Sequence, residues 1–114
     1  MRIKDIDSAL EVFEKAAIEH SLATESGDYK TANKNYPKIG KAATFLKNLG
    51  ESHLVSKFLT HKIEGVRVWA AAYLLPIQER NAVKVLETVA KGHGIQSLNA
   101  ETLLSEWRKG NLKL

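Results

Sequence analysis

The 114-residue sequence contains no cysteine, which excludes disulfides, thiolate zinc sites and cysteine nucleophiles together. Proline occurs only at Pro37 and Pro76, so few helices are broken from this source. No apolar run reaches the ~18–20 residues that a membrane span requires. No apolar run follows the positive charges of Met1-Arg-Ile-Lys-Asp-Ile-Asp either, so no signal peptide is expected and the expected location is the cytoplasm. Alternating apolar and polar residues, the mark of a half-buried strand, are also missing.

Catalytic patterns are equally scarce. There is no Gly-x-Ser-x-Gly, no Walker-type loop and no paired-carboxylate motif. His20, His53, His61 and His93 form no His-x-x-x-His or Glu-x-x-His pair, and His53 and His61 would stand about 12 Å apart along a helix, too far to share one ion. Glu101 and Glu106 fall on different faces of a helix. Gly92-His-Gly94 is too short to cradle phosphate and reads as a helix break. The expectation is a protein with no catalytic, cofactor or metal site.

What is present is an ordinary globular composition, 44% apolar and 26% charged, long enough for one domain over residues 1–114 with its own core. Residues 65–75, Gly65-Val-Arg-Val-Trp-Ala-Ala-Ala-Tyr-Leu-Leu75, form a helical stretch whose only charge is Arg67. A helix apolar nearly all round must be covered on several sides, so this one belongs at the centre of a helical stack.

Apolar spacing places five further helical segments around it. The first covers about 7–26, with Ile6, Leu10, Phe13 and Ala17 in register and Gly27 as its stop. The second runs from an Asp28 cap to about 48, its apolar face assigned to Tyr29, Ala32, Tyr36, Ile39, Ala43 and Leu46. Pro37 is expected to kink it or divide it in two. The others cover about 51–61, 79–91 and, from 97 or 99, up to 109. Six short-linked helices predict an all-α fold of three antiparallel hairpins, a short α-α superhelix.

Charge divides between the first two segments. Residues 5–28 carry seven acids against Lys15, a net −6, and residues 29–50 carry five lysines and no acid, +5. This is the pattern of a hairpin whose members answer each other's charge. On a helical wheel Lys30, Lys34, Lys38 and Lys41 cluster within about 80°. Such a stripe is either a solvated face or a basic surface for phosphate chains.

Thr31-Ala-Asn-Lys-Asn-Tyr36, Gly65-Val-Arg-Val-Trp-Ala-Ala71 and Asn99-Ala-Glu-Thr-Leu-Leu-Ser-Glu-Trp-Arg-Lys-Gly-Asn-Leu-Lys113 lie in order along nearly the whole chain. Together they resemble a bacterial domain-of-unknown-function family, the one numbered twenty-nineteen. The middle block is similar to the second helix of a HEAT or armadillo-like repeat. The resemblance implies a small HEAT-like helical domain and supplies no catalytic residues.

The function expected from these readings is a non-catalytic protein-interaction module, in its most concrete form an immunity protein that blocks a bacterial toxin. The alternative is weak, sequence-independent nucleic-acid binding through the lysine stripe. Candidate partner-binding residues are Arg67, Lys30, Lys34, Lys38 and Lys41. Arg67, one guanidinium on an apolar helix, needs Glu64, a carbonyl or a partner's carboxylate. Trp69 and Trp107 read as core, and Tyr29 and Tyr36 as packing residues with hydroxyls reaching solvent.

Overall fold

The computed structural model describes residues 2–112, and these are all-helical: α1 (Ile6–Ser26), α2 (Tyr29–Asn48), a 3-10 helix (Ser52–Thr60), α3 (Glu64–Leu74), α4 (Glu79–Ala90) and α5 (Ile95–Arg108). No strand occurs among the described residues.

Local chemistry sets the boundaries. The Asp5 carboxylate accepts the Ser8 N–H at 2.8 Å while the Asp5 N–H donates to Ser8 Oγ at 3.0 Å, a reciprocal cap that starts α1. Gly27, at φ 79, turns the chain left-handed and donates to the Ala23 and Thr24 carbonyls, a conformation costly for residues bearing a β-carbon. Asp28 then caps α2, accepting the Thr31 N–H at 3.2 Å and its hydroxyl at 2.6 Å. These hydrogen bonds hold both caps below the usual carboxylate range, the Ser8 N–H acting most on Asp5 and the Thr31 hydroxyl most on Asp28.

Of the two outcomes expected at Pro37, a kink or a division, the division does not occur, and two other helices differ from expectation in type or start. Pro37 does not divide the second segment, which is one helix of 20 residues. Pro37 lies on the exposed side, and Ala32, Ile39 and Leu46 bury on both sides of it. Burying side chains such as Ile39 and Leu46 contributes about 1.5–3 kcal/mol each, enough to offset the ~3 kcal/mol of an interior proline. The third segment is a 3-10 rather than an α-helix. At three residues per turn positions i and i+3 eclipse, which aligns Val55 with Phe58, its two buried residues. The last helix begins at Ile95, earlier than its spacing suggested.

Each segment touches its successor in a pair: α1 with α2, the 3-10 helix with α3, α4 with α5. α3 is the hub, in contact with α1, the 3-10 helix, α4 and α5. Val66, Ala70, Ala71 and Leu74 are fully buried along it, and the alanines leave room for its neighbours. The tightest approach is at its first turn. A β-carbon on Gly65 would overlap Ser21 Oγ and stand 2.5 Å from Ser21 Cβ, so α1 and α3 meet there only because residue 65 has no side chain. Ser21 is itself fully buried and donates its hydroxyl to the Ala17 carbonyl at 2.7 Å.

Candidate functional site

The close approach at Gly65 opens beside it into a cleft of about 410 Å³ at the meeting of α1, α2, α3 and α5. His20, Tyr36, Trp69, Gln96, Asn99 and Thr102 line it, with Leu103 and Leu112 at its edge. The rings form a connected cluster. Trp69 meets His20 edge-on at 5.2 Å between centroids and Tyr36 at 5.6 Å, and stacks on Tyr73 at 6.2 Å. Tyr73 continues through Phe13 to Phe58, so the cleft wall is anchored in the core.

The hydrogen bonds fix the protonation pattern. The Trp69 indole N–H donates to His20 Nδ1 at 3.3 Å. An indole nitrogen only donates, so Nδ1 is unprotonated and the ring proton sits on Nε2. Burial also holds His20 below the usual imidazole value, so the cleft wall is uncharged at neutral pH. Burial, with Tyr36 nearby, pushes the Tyr73 phenol up. Gln96 is buried and accepts from Asn99 Nδ2 at 3.5 Å. His20 Nε2, the Tyr36 hydroxyl and Asn99 Oδ1 have no protein partner among the described residues. The cleft thus offers aromatic walls with donors and an acceptor left over, the composition of a recognition site.

The residues singled out from sequence fall elsewhere. Arg67 is answered within the chain: Nη1 donates to the His61 carbonyl at 2.6 Å and Nη2 lies 3.8 Å from Glu64. The same turn is pinned to α1 by His61, whose Nδ1 accepts the Ile63 N–H at 3.0 Å and whose Nε2 meets Glu14 at 2.9 Å. Lys30, Lys34 and Lys41 are exposed on α2 and Lys38 is half-buried. None of the four enters the cleft, and no ion pair among the described residues ties them to the acids of α1.

Tyr29 and Tyr36 depart from their assignment to the packed face, at 80% and 61% exposed. The buried line of α2 is Ala32, Asn35, Ile39, Ala42, Ala43 and Leu46. Asn35 holds a core position that the apolar pattern gave no reason to expect. Its Nδ2 donates to the Thr31 carbonyl at 2.9 Å, while its Oδ1 is buried without a partner among the described residues. His20 and Gln96 also went unrecognised as site residues. For His20 a signal existed: it lies seven residues after Phe13 and three after Ala17, in register with the buried face of α1. For Gln96 there was none.

Two other features compete less well. An open groove of about 710 Å³ between α4 and α5 is lined by charges of both signs, among them Glu87, Lys91, Glu101 and Arg108. Among the described residues no three His, Cys, Asp or Glu side chains gather as metal ligands would, and no helix is long and apolar enough to cross a membrane. Comparison with protein-family models, with curated proteins and with solved structures yields no match.

Proposed function

We propose that this protein is a non-catalytic, HEAT-like interaction module of the family its sequence resembles, and that it binds another protein through the four-helix cleft. The observation that carries the reading is the convergence of His20, Tyr36, Trp69, Gln96 and Asn99, from four separate helices, on one opening. Aromatic side chains dominate the energetics of protein interfaces, and a few polar atoms fix orientation. Ile95, at 40% exposure, supplies an apolar rim. At 100° per residue Ile95 lies within about 40° of both Asn99 and Thr102 around α5.

A toxin blocked by this module as its immunity protein is the concrete form of the proposal. Affinity capture from the native cell, and protection against a toxin encoded beside the gene, test it. Tyr36→Ala combined with Ile95→Asp should weaken capture by roughly 30-fold or more, as expected for loss of a central anchor, while helicity is unchanged. The reading fails when the wild-type chain recovers no partner and gives no protection, or when the double variant binds as the wild type does.

A further inference from the structure

The outer surface of the α1–α2 pair is divided by charge, −6 over residues 5–28 and +5 over 29–50, and among the described residues Lys30, Lys34, Lys38 and Lys41 form no ion pair with the acids of α1. Glu64 with Arg67 and Glu87 with Arg108 form ion pairs, and Glu51 and Glu14 contact the imidazoles of His53 and His61. None joins α1 to α2. Asp5 and Asp28 serve as caps and Glu14 holds His61. Asp7, Glu11, Glu19 and Glu25 on α1, and Lys30, Lys34, Lys38 and Lys41 on α2, are left without an ion-pair partner. Leu22, 55% exposed, stands among the acids three residues from Glu19 and from Glu25.

We propose that this face pairs with the same face of a second copy of the chain, the acids of each α1 lying along the lysines of the other copy's α2. A two-fold axis running parallel to the helices places each strip over its complement, twice over. The proposal concerns a surface distinct from the cleft and stands independently of it. At 1.5 Å per residue the 21 residues of α1 span about 31 Å. Two helices about 10 Å wide then give a face of about 600 Å² per copy. The resulting ~1,200 Å² is at the lower edge of specific interfaces, so the dimer is weak and its charge pairs are salt-sensitive.

A phosphate chain fits this face less well. Packed helix axes lie about 8–10 Å apart, about one screening length at 0.1 M salt, so the acids of α1 repel a polyanion laid along α2. A surface carrying both signs is matched by another that carries both.

Sedimentation equilibrium of the full chain at ~20 mM and ~500 mM salt tests the proposal, with dimer expected at low salt and a dissociation constant at least ~10-fold higher at high salt. Lys34→Glu with Lys38→Glu should give a monomer, as should Glu11→Lys with Glu19→Lys, because each sets like charges face to face. Mixed in equal amounts, the two variants should form a 1:1 heterodimer, a result that requires both to be folded. A wild-type chain that stays monomeric at ~500 μM and ~20 mM salt overturns the proposal, since about 1,200 Å² of complementary surface should associate there. So does a dimer indifferent to either reversal, a mixture that stays monomeric, or a monomer that instead captures a thymidine oligonucleotide through the lysines.

Discussion

The two tryptophans mark two differently built halves of the molecule. Trp69, on the hub helix, donates its indole N–H to the neutral ring of His20 at 3.3 Å within an aromatic cluster. Trp107, on α5, donates to Glu79 Oε2 at 2.6 Å on the exposed edge shared with α4. Around Trp69 the geometry is set by what has no room to move: Gly65 against Ser21, and the buried alanines of α3. Around Trp107 it is set by charged groups in solvent, including Arg108 on Glu87 at 3.0 Å. The shorter hydrogen bond is therefore in the more tolerant half. Distance alone does not rank the two contacts; the environment of the acceptor does.

The largest effect should come from the place where α1 and α3 touch. Gly65→Ala puts a methyl group into Ser21, and overpacking of this kind costs about 1–3 kcal/mol or more. For a domain of this size that is a fall in melting temperature of roughly 4–8 °C per kcal/mol. Ser21→Gly in the same chain removes the atoms that collide and should recover part of the loss. A Gly65→Ala protein melting with the wild type would show that the inner half is not sterically fixed, and the contrast would collapse.

The tryptophans come next. Trp69→Phe leaves His20 Nδ1 with only the Thr24 hydroxyl, 3.4 Å away, and loosens the ring cluster; about 1–3 kcal/mol is expected from the lost hydrogen bond and aromatic contacts together. Trp107→Phe frees a carboxylate that water can solvate, so its cost should stay below ~1 kcal/mol once packing is kept. Denaturant melts of the two variants side by side give the comparison directly. Equal losses would erase the distinction between the halves.

Much of the outer frame was legible in the sequence because it is local. Asp28, Gly27 and the glycines around His93 act on their own neighbours, and the apolar run at 65–75 announces a hub by composition alone. The cleft was not legible in the same way. It joins positions 20, 36, 69, 96 and 99, which only the tertiary packing brings together. Tyr36 was assigned to the packed face because a periodicity count treats its ring as apolar, whereas the smaller Ala32 and Ala43 take the buried line. Gly65 read as the entrance to a helix; its importance depends on Ser21, on a different helix. The continuity of α2 through Pro37 likewise reflects burial on both sides of the ring, which outweighs a local penalty.

Acid should separate the halves further. Burial depresses the His20 pKa in the folded chain, so the unfolded chain takes up a proton first as pH falls. The contribution of neutral His20 is fully present above the unfolded value of about 6.5 and is lost as pH drops from there through the lower folded pKa. Protonation at Nδ1 also replaces an acceptor with a donor facing the Trp69 N–H. Stability should therefore decline below about pH 6.5 more steeply in the wild type than in His20→Gln. Trp69 fluorescence should change over the same window, in a Trp107→Phe background that leaves one reporter. A His20→Gln protein with an unchanged pH slope would mean that the cleft wall is not titrating.

The smallest effect belongs to the outer edge. Arg108 and Glu87 meet at 3.0 Å with side chains 58% and 52% exposed, and exposed pairs contribute between about 0 and 1 kcal/mol because solvent screens the attraction and ordering two long side chains costs entropy. Glu87→Gln should then change stability by less than about 0.5 kcal/mol, with the remainder disappearing in ~0.5 M salt. The same salt should leave the Gly65→Ala penalty intact, since overlap of atoms is not screened. A loss above ~1 kcal/mol from Glu87→Gln would put this edge outside the range of exposed pairs, with α4 and α5 depending on the ion pair as α1 and α3 depend on Gly65.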